Sequence, residues 1–517
     1  MKRARTFGYD LARMRWRTRL LRTVASAGLT LLLPCSEPCI SAVAQQPPQE
    51  QIEHSAVHAH RPAAPRLSPA RSATALPALC ASCIRENLEY LAGPALHGRG
   101  SATEDEHHAA EFIAGKLQKY GLQPAADAGD FIQTVTIESR QVIGSPTLSA
   151  GGNAAQGATI WAHGRDVVFL NLPRAEATGE LQKLDLAETS ASASSVREDA
   201  ALAVKLKPGT TFEQLQAALA PLSHSKAEIV MISSTPELKG MFQAMSAHPP
   251  HTPQKIGNDE PPSSAIVVLV ALHAFQHIWS LPDGAFIRVQ GQLSPWRETH
   301  TWNVLAKIPG GYEDQMILLS AHLDHLGVVK GKTYPGADDD ASGTVAVMEL
   351  ARALAREPKP KRTIVFALWG SEEAGMIGSR YFLQHPTFPL KDIIANLEFE
   401  MIGRPDPAVK PDELWLTGWD RSNLGPEMAA HGANLVSDPH PGENFFTRSD
   451  NFPLAQKGIV AQTVSSYGLH KDYHQPSDTF TKINWMHLDE SIASMIGPVL
   501  WLANSDFMPA WKPDLKP

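Results

Sequence analysis

The sequence MILLSAHLDH, residues 316–325, is the stretch from which the fold can be worked out. Its run of apolar residues predicts a strand buried on both faces, as in a parallel sheet covered by helices. Such sheets bind ligands at the carboxyl ends of their strands. There His322 can offer an imidazole nitrogen to a metal, with Asp324 accepting the other ring N–H. The alternative is a surface His-Asp-His turn, and His325 is a less favoured ligand.

Apolar runs of the same kind recur from residue 303 to about residue 502, separated by helical or loop segments. This α/β alternation predicts a mainly parallel mixed sheet sandwiched by helices. The predicted strands are Met316–Ser320, Thr363–Trp369, Ile393–Glu400, Glu413–Leu416 and Ile459–Val464. Helical patterns at Ile84–Tyr90 and Glu104–Tyr120 are assigned to the same domain, which is predicted to be discontinuous and to comprise residues 83–130 and 294–517.

Residues 131–293 are predicted to form an inserted, smaller β-rich domain. Short β-like runs alternate there with polar, Ser/Ala-rich stretches and one amphipathic segment around Phe212–Leu222. The runs are Thr134–Ile137, Asp166–Leu170, Glu228–Ile232, Ala265–Val270 and Ala285–Val289. We find no cluster of acids, bases or metal ligands in this region. The insert is therefore expected to shape access to the site rather than to perform chemistry.

The first 44 residues have the pattern of a secretory signal peptide. Basic residues extend to Arg22, an apolar stretch of 11 residues covers Thr23–Leu33, and small residues precede Gln45. A bilayer span needs about 20 residues, so no stable membrane insertion is expected after signal removal. The protein is predicted to be secreted or periplasmic; the alternative is a disordered basic tail. Residues 45–82, rich in Gln, Pro, Ala, Ser and His, are predicted to be a disordered linker.

The cysteines and the net charge limit the choice of function. Removal of the signal leaves Cys80 and Cys83, and a CxxC pair alone cannot supply the four ligands of a structural zinc site. In an oxidising compartment the pair predicts a short-range disulfide, with two free thiols as the alternative. The formal charge of −8 and the pI near 6.2 give no basic footprint for nucleic acid.

Two acidic motifs follow the first strand. The segment GADDDASG, residues 336–343, opens a helix. Helix capping explains one carboxylate, but three in succession suggest a cation between them. The segment WGSEEAG, residues 369–375, ends another strand. Its adjacent Glu372 and Glu373 suit a division of labour in which one binds a metal and the other handles a proton; an exposed Glu pair beginning a helix is the alternative.

Two further motifs complete the series. In NLEFEMIG, residues 396–403, Glu400 ends an apolar strand, where an unpaired charge would be costly to bury. Glu398 points the same way two residues earlier and is a fallback ligand. In YHQPSDT, residues 473–479, Tyr473 and His474 lie in a loop after the last apolar strand.

Together the five motifs resemble those of the M28 zinc peptidases, a family that includes bacterial secreted aminopeptidases. The resemblance covers residues 302–502 and extends to the helical segments between residues 88 and 124, which contain LAGPALHGRG, residues 91–100. It implies the zinc exopeptidase fold and two Zn²⁺ ions. The implied metal ligands are His322, Asp339, Glu373, Glu400 and His474, with Asp339 bridging both ions and a cis Asp339–Asp340 peptide bond.

The resemblance also implies catalytic roles. Glu372 would be the general base, and Asp324 would orient His322. Tyr473 is assigned a hydrogen bond to the tetrahedral oxyanion, with simple packing against His474 as the alternative. The chain departs from the family at Glu400, where the family's aminopeptidases usually have Asp. The additional methylene requires the metal spacing or the backbone to adjust. By its position and texture, the insert resembles a protease-associated domain.

The function implied is that of a secreted di-zinc exopeptidase that removes N-terminal residues from peptides or proteins by means of a metal-activated water. A carboxypeptidase of the same family is an alternative, although only 43 residues follow His474 and its large members add a C-terminal dimerisation domain. A glutaminyl cyclase-like acyltransferase with a single zinc and a non-catalytic binding homologue are the others. The preferred N-terminal residue, the oligomeric state and the choice between zinc and cobalt or manganese stay open.

Overall fold

The computed structural model describes residues 76–517 except 152–157, 189–192, 211–213, 216–221, 223–224, 247 and 258–264, and two paired two-residue strands, Leu21–Arg22 and Leu33–Pro34. Apart from those two short strands, the predicted signal peptide lies outside these residues, as do most of the predicted linker and most of the segment Phe212–Leu222. Cys80 and Cys83 form a disulfide, which confirms that prediction. Among the helices described, none combines the length and apolar composition needed to cross a bilayer.

Most of the described strands belong to two sheets. In chain order they are β1 (Gln123–Pro124), β2 (Ile132–Ser139), β3 (Val142–Ala150), β4 (Thr159–Ala162), β5 (Val167–Asn171), β6 (Glu176–Asp185), β7 (Ala200–Lys205), β8 (Ile229–Ser233), β9 (Lys255–Ile256), β10 (Ile266–Val270), β11 (Phe286–Leu293), β12 (Arg297–Ile308), β13 (Tyr312–His322), β14 (Gly327–Val329), β15 (Lys332–Tyr334), β16 (Arg362–Trp369), β17 (Ile393–Phe399), β18 (Leu414–Leu416), β19 (Leu435–Ser437) and β20 (Val460–Ser465).

The larger sheet has ten strands in the order β9-β2-β12-β16-β13-β17-β20-β18-β19, with β1 paired to β12. Its four central strands, β16, β13, β17 and β20, are parallel to one another. The strands towards either edge include antiparallel pairs. The predicted mixed sheet with a parallel centre is therefore confirmed.

Helices cover both faces of the larger sheet. The described α-helices are α1 (Ala81–Leu91), α2 (Glu104–Lys119), α3 (Lys239–Ser246), α4 (Leu272–Ser280), α5 (Gly343–Leu354), α6 (Ile377–Gln384), α7 (Leu424–Ala430), α8 (Asn451–Gln456) and α9 (Trp485–Asn504). Helices α1, α2, α5, α7 and α9 share one apolar core with the sheet, and α6 and α8 pack on the opposite face.

The strand β16 shows why this sequence forms the middle layer of a three-layer structure. All eight of its residues are buried. Ile364, Phe366 and Leu368 point into the core beneath α5. Val365 and Trp369 point into the core beneath α6 and α8. Because successive side chains alternate between faces, a strand covered on both sides is apolar at consecutive positions, here from Ile364 to Trp369.

The insert sheet has eight strands in the order β4-β3-β11-β6-β7-β8-β10-β5. The central strands β6, β7, β8 and β10 are again parallel to one another. Apolar side chains fill both of its faces, with α4 packed on one and α3 on the other. The insert sheet therefore encloses cores of its own, separate from those of the larger sheet.

The junction between the two sheets differs from the predicted boundary at residue 131. The strand β2 pairs with β12 of the larger sheet from Ser139 opposite Arg297 onwards, and β9 pairs with β2. Val135 and Ile137 of β2 pack against Ile377 of α6, so burial against the larger domain decides where this strand lies. At the junction, the ring of Trp296 lies beneath the charged ends of Arg140, at 4.3 Å, and Lys255, at 4.7 Å.

Candidate metal centre

The carboxyl ends of the four central strands bring the predicted residues together. The strand β13 ends at His322, directly opposite Trp369 at the end of β16. Glu372 and Glu373 follow β16, Glu400 follows β17, and His474 lies in the loop after β20. Because parallel strands end at the same edge of a sheet, residues far apart in sequence converge there.

The acidic segment between β15 and α5 supplies the centre of the site. Residues Ala337–Ser342 form one turn of π-helix, and the Asp339–Asp340 peptide bond is cis, as the resemblance implied. The carboxylate of Asp339 lies 3.3 Å from His322 Nε2 and 3.0 Å from His474 Nε2. Asp478 accepts hydrogen bonds from the Asp338 and Asp339 N–H groups and so fixes this turn.

Two groups of side chains meet the spacing of metal ligands. One comprises His322, Asp339 and Glu400, and the other His325, Asp339, Glu373 and His474. In each group every residue offers one ligand atom, and these atoms lie within 4.8 Å of one another. All five predicted ligands are present in the groups, and Asp339 is shared by both. The structure adds His325, which the sequence interpretation ranked lower.

The donor atoms of these groups fit a cation. His322 Nε2, Asp339 Oδ2, Glu373 Oε1 and both ring nitrogens of His325 are buried and have no hydrogen-bond partner among the described residues. Zinc bonds of about 2.0–2.1 Å in a tetrahedron separate ligand atoms by about 3.3 Å. His474 Nε2 lies 3.2 Å from Glu373 Oε1, and His325 Nδ1 lies 2.8 Å from the same oxygen. Buried nitrogen and oxygen atoms at this spacing are the donor set that zinc accepts.

Glu400 and Glu398 occupy different surroundings. The longer side chain of Glu400 reaches the group that contains His322 and Asp339. Glu398, two residues earlier in β17, is fully buried and accepts a hydrogen bond from the Ser320 hydroxyl. Glu398 lies in neither ligand group of the described residues. Both side chains point to the same side of the strand, so the position of Glu400 at the strand end decides that it, and not Glu398, reaches the ligand group.

Burial and neighbouring charges separate the pKa values of the two adjacent glutamates. Burial raises the pKa of Glu372 well above its usual value, and the negative charge of Glu373 adds to this rise. Burial also acts on Glu373, but the positive charge of His474 and the proximity of the His325 ring, whose Nδ1 lies 2.8 Å from Glu373 Oε1, outweigh it and lower the pKa of Glu373 to about 2. The two adjacent carboxyl groups therefore differ in how readily they ionise, Glu373 more readily than Glu372.

Asp324 contacts the glutamate loop, residues 370–376 between β16 and α6, more directly than it contacts His322. Its Oδ1 accepts the Glu372 N–H at 2.9 Å, and its Oδ2 accepts the Glu373 N–H at 3.3 Å. The predicted bond to His322 is not formed, because Nδ1 lies 3.6 Å from Asp324 Oδ1 and 3.2 Å from the Asp324 backbone oxygen. Asp324 therefore holds the backbone that carries the two glutamates.

The ring of Tyr473 stacks on that of His474, with 3.8 Å between centroids. This is the packing alternative considered for Tyr473, and its role at an oxyanion stays a prediction. Tyr473 also packs against an aromatic cluster beside the site. The cluster comprises Met401, Trp415, Phe445 and Tyr467. Its four members are buried and pack beside the ring of Tyr473.

Two buried charged residues near the N-terminus were not singled out from the sequence. Glu106 lies behind the glutamate loop. The Arg99 guanidinium donates hydrogen bonds to the backbone oxygens of Leu91, Leu323, Pro335 and Gly336. Burial lowers the pKa of Arg99 to about 10. Arg99 thus joins α1 to the segments after β13 and before the π-helical turn. The segment HGRG, residues 97–100, belongs to the stretch that resembles the family, but nothing in the sequence indicates that Arg99 is buried.

Comparison with known proteins agrees with this architecture. The fold is similar to that of an aminopeptidase from Aneurinibacillus sp. strain AM-1, with a TM-score of 0.50 and 18% identity over 83% of this chain and 95% of that chain. Residues 303–497 match the model of peptidase family M28. This segment contains every residue of both ligand groups, so the part of the chain that carries the site is the part similar to peptidase family M28.

Curated relatives match part of the chain. Leupeptin-inactivating enzyme 1 of Streptomyces exfoliatus is 29% identical over 216 residues, which are 39% of this chain and 48% of the relative. An aminopeptidase of Pseudomonas aeruginosa is 39% identical over 111 residues, 21% of this chain and 20% of the relative. The chain therefore spans about half the length of the first relative and a fifth of the second.

Proposed function

We propose that the protein is an exported zinc aminopeptidase with two metal ions. The observation that carries this proposal is the pair of ligand groups that share Asp339 beside Glu372. Zinc would be held by His322, Asp339 and Glu400 in one site, and by Asp339, Glu373 and His474 together with His325 in the other. Bound zinc supplies Lewis acidity, which polarises a carbonyl and lowers the pKa of water.

The chain's own residues perform the proton transfers. Glu372 accepts the proton of the attacking water and delivers it to the leaving amine, which is the role that its raised pKa supports. Asp324 keeps the Glu372 backbone in place through the N–H bond of 2.9 Å. Tyr473 is proposed to donate a hydrogen bond to the oxyanion from its position against His474.

The choice of an amino-terminal substrate rests on similarity to known aminopeptidases rather than on the charge of the metal ligands. Asp339, Glu373 and Glu400 carry three negative charges and two Zn²⁺ ions would supply four positive charges, so the loaded site would not be net negative. The match to an aminopeptidase of Pseudomonas aeruginosa supports a free-amine substrate. The carboxypeptidase stays the alternative that the substrate test decides.

The location and the role of the insert are part of the proposal. The basic, apolar and small-residue segments of residues 1–44 support export, and the Cys80–Cys83 disulfide supports an oxidising compartment. We infer that the insert shapes access to the site. The chain leaves the insert sheet at β9 to join the larger sheet, and Ile256 of β9 packs in one cluster with Ala374 and Ile377, beside the glutamate loop.

The test measures hydrolysis of leucine p-nitroanilide, its N-acetylated form and an N-blocked peptide with a free carboxylate. We expect only the free-amine substrate to be cleaved, activity to be lost on chelation, and two equivalents of zinc to restore it. Cleavage of the N-blocked peptide would replace the aminopeptidase by a carboxypeptidase. Full recovery with one bound equivalent would exclude the two-metal site.

A further inference from the structure

The loop that carries the two glutamates is held by its backbone N–H groups. Ser371 has a φ of 52°, in the left-handed region that non-glycine residues rarely adopt. The N–H groups of Ser371, Glu372 and Glu373 all donate to buried carboxylates. Asp324 accepts two of them, and Glu106 accepts the third, from Ser371, at 2.7 Å.

Glu106 comes from helix α2, 265 residues before Ser371. Its side chain is fully buried. Its Oε1 accepts the Ser371 N–H and the Thr301 hydroxyl, both at 2.7 Å. Its Oε2 accepts the Ala102 N–H at 2.8 Å. Glu106 thus joins the beginning of α2, the strand β12 and the glutamate loop.

The hydrogen bonds of Glu106 require a carboxylate rather than an amide. Each of its oxygens accepts a backbone N–H, from Ser371 on one side and from Ala102 on the other. A glutamine has one oxygen and one NH₂ group, so one of these N–H groups would face another donor. A buried donor without an acceptor is costly, and the loop would shift to relieve the conflict.

We propose that Glu106 is a positioning residue for the general base: it holds Ser371 in its left-handed conformation and thereby directs Glu372 towards the substrate. Glu106 touches neither the ligand groups nor the substrate and acts through the loop backbone. The N-terminal segment before the insert is therefore part of the active centre. This inference rests on the proposed aminopeptidase function.

The test compares Glu106→Gln with Glu349→Gln in the zinc-loaded full chain. Glu349 is a matched control, because it is also buried and also accepts a backbone N–H, from Cys80 at 2.6 Å. It lies on α5 and pairs with Arg352 rather than with the glutamate loop. Loss of supporting contacts of this kind reduces activity about 10- to 100-fold. We expect Glu106→Gln to lower kcat by that factor, with KM and bound zinc nearly unchanged. We expect Glu349→Gln to reduce thermal stability without lowering kcat.

A second substitution separates positioning from general stability. Glycine adopts positive φ without strain, so in the Ser371→Gly variant the loop conformation should depend less on the hydrogen bond to Glu106. We expect the double variant Glu106→Gln/Ser371→Gly to recover part of the lost kcat without recovering thermal stability. If Glu106→Gln does not fold, Glu106→Asp, which keeps the charge but shortens the reach, is measured in the same way.

Three results would overturn the inference. The first is an unchanged kcat in Glu106→Gln, and the second is an equal loss of kcat in Glu349→Gln. The third is a Glu106→Gln variant that loses bound zinc but keeps the kcat of its zinc-loaded molecules. The kcat and bound zinc of each variant are compared with those of the wild type, with leucine p-nitroanilide as the substrate. If the zinc-loaded wild type is inactive, the proposed function fails. If the wild type is active and Glu106→Gln matches it, only the role of Glu106 fails.

Discussion

The larger sheet and the insert sheet share one design but differ in what lies at their carboxyl ends. Each contains four consecutive parallel strands. The larger sheet ends in His322, the glutamate loop and Glu400. The corresponding ends of the insert sheet carry an exposed Asp185–Lys205 ion pair and Ser233, whose hydroxyl accepts the Leu206 N–H. Within the described residues of the insert, no side chain belongs to a metal-ligand group.

This difference shows that strand arrangement alone does not make a site. The edge of a parallel sheet offers a place where loops converge, but the side chains at the strand ends decide what binds. In the larger sheet these side chains are buried or half-buried and ionisable. In the insert they are solvated or satisfied by the backbone. The comparison can be tested by substituting equivalent positions in the two sheets.

The largest effect is expected for Asp339→Ala, because this carboxylate belongs to both ligand groups. We expect zinc binding to fall at both sites and aminopeptidase activity to become undetectable. The matched insert variant is Asp185→Ala, which removes a strand-end carboxylate of the other sheet. It should bind zinc and hydrolyse leucine p-nitroanilide as the wild type does. Isothermal titration of the metal-free proteins with zinc measures the difference, and normal zinc uptake by Asp339→Ala would contradict it.

A second large effect is expected for Glu372→Gln. Removal of a general base typically lowers kcat by about 10²- to 10⁴-fold. The bound zinc should remain, because Glu372 lies in neither ligand group. Glu398→Gln is the control in the same sheet, since Glu398 is buried but also outside the groups. Steady-state kinetics with metal analysis distinguishes the two, and an equal loss of kcat in Glu398→Gln would show that the assignment of the base is not specific.

An intermediate effect is expected from cavities in the two cores. Ile229→Ala in the insert and Leu318→Ala in the larger sheet each remove fully buried methyl groups, at a cost of about 2–5 kcal/mol. Leu318 lies four residues before His322 in β13, so we expect its replacement also to reduce activity. Ile229→Ala should leave hydrolysis of leucine p-nitroanilide intact and alter only the selection among longer peptides. Denaturant unfolding and kinetics on both substrate classes test this contrast.

The smallest effect concerns pH and the insert. His163 Nδ1 accepts the Phe169 N–H at 3.0 Å, and Nε2 donates to the His248 backbone oxygen at 2.8 Å, so the ring is neutral. Burial lowers the pKa of His163. The free energy of unfolding should therefore be highest above about pH 6.5 and should fall as the pH drops below it. Hydrogen exchange of the strand β5 at about pH 5 and about pH 8 measures this loss, which His163→Gln should abolish.

Much of the larger sheet could be predicted because its signal is local. The runs around Met316 and Thr363 are apolar at consecutive positions, as doubly covered strands require. Four of the five predicted ligands, His322, Glu373, Glu400 and His474, end or follow such strands and converge for that reason, whereas Asp339 lies in the turn before α5. The boundary of the insert was harder to predict from the sequence. In the sequence, β2 resembles the other short β-like runs of the insert. Only its pairing with β12, which joins Ser139 to Arg297 158 residues later, assigns it to the larger sheet.

Other features depend on loop conformation and long-range contact, which periodicity does not contain. His325 joins a ligand group because the chain turns after His322 and brings its ring within 2.8 Å of Glu373. His474 has a φ of 54° in a loop without a repeating pattern. Glu106 lies in an ordinary amphipathic helix and is distinguished only by what it touches. The family resemblance supplied roles for the ligands but none for the residues behind them.

The pairing of β2 with β12 also affects the order in which the parts of the molecule fold. All strands of the insert sheet lie between residues 142 and 293, and its β3 and β11 place Val142 opposite Leu293. The insert can therefore close during synthesis, before residues 460–465 of the larger sheet have been made. Once closed, it brings the ends of β2 and β12 together. A loop of 158 residues then behaves as a short hairpin, which lowers the entropic cost of closure by about 3 kcal/mol. The insert is in this sense a folding template for the sheet that it interrupts.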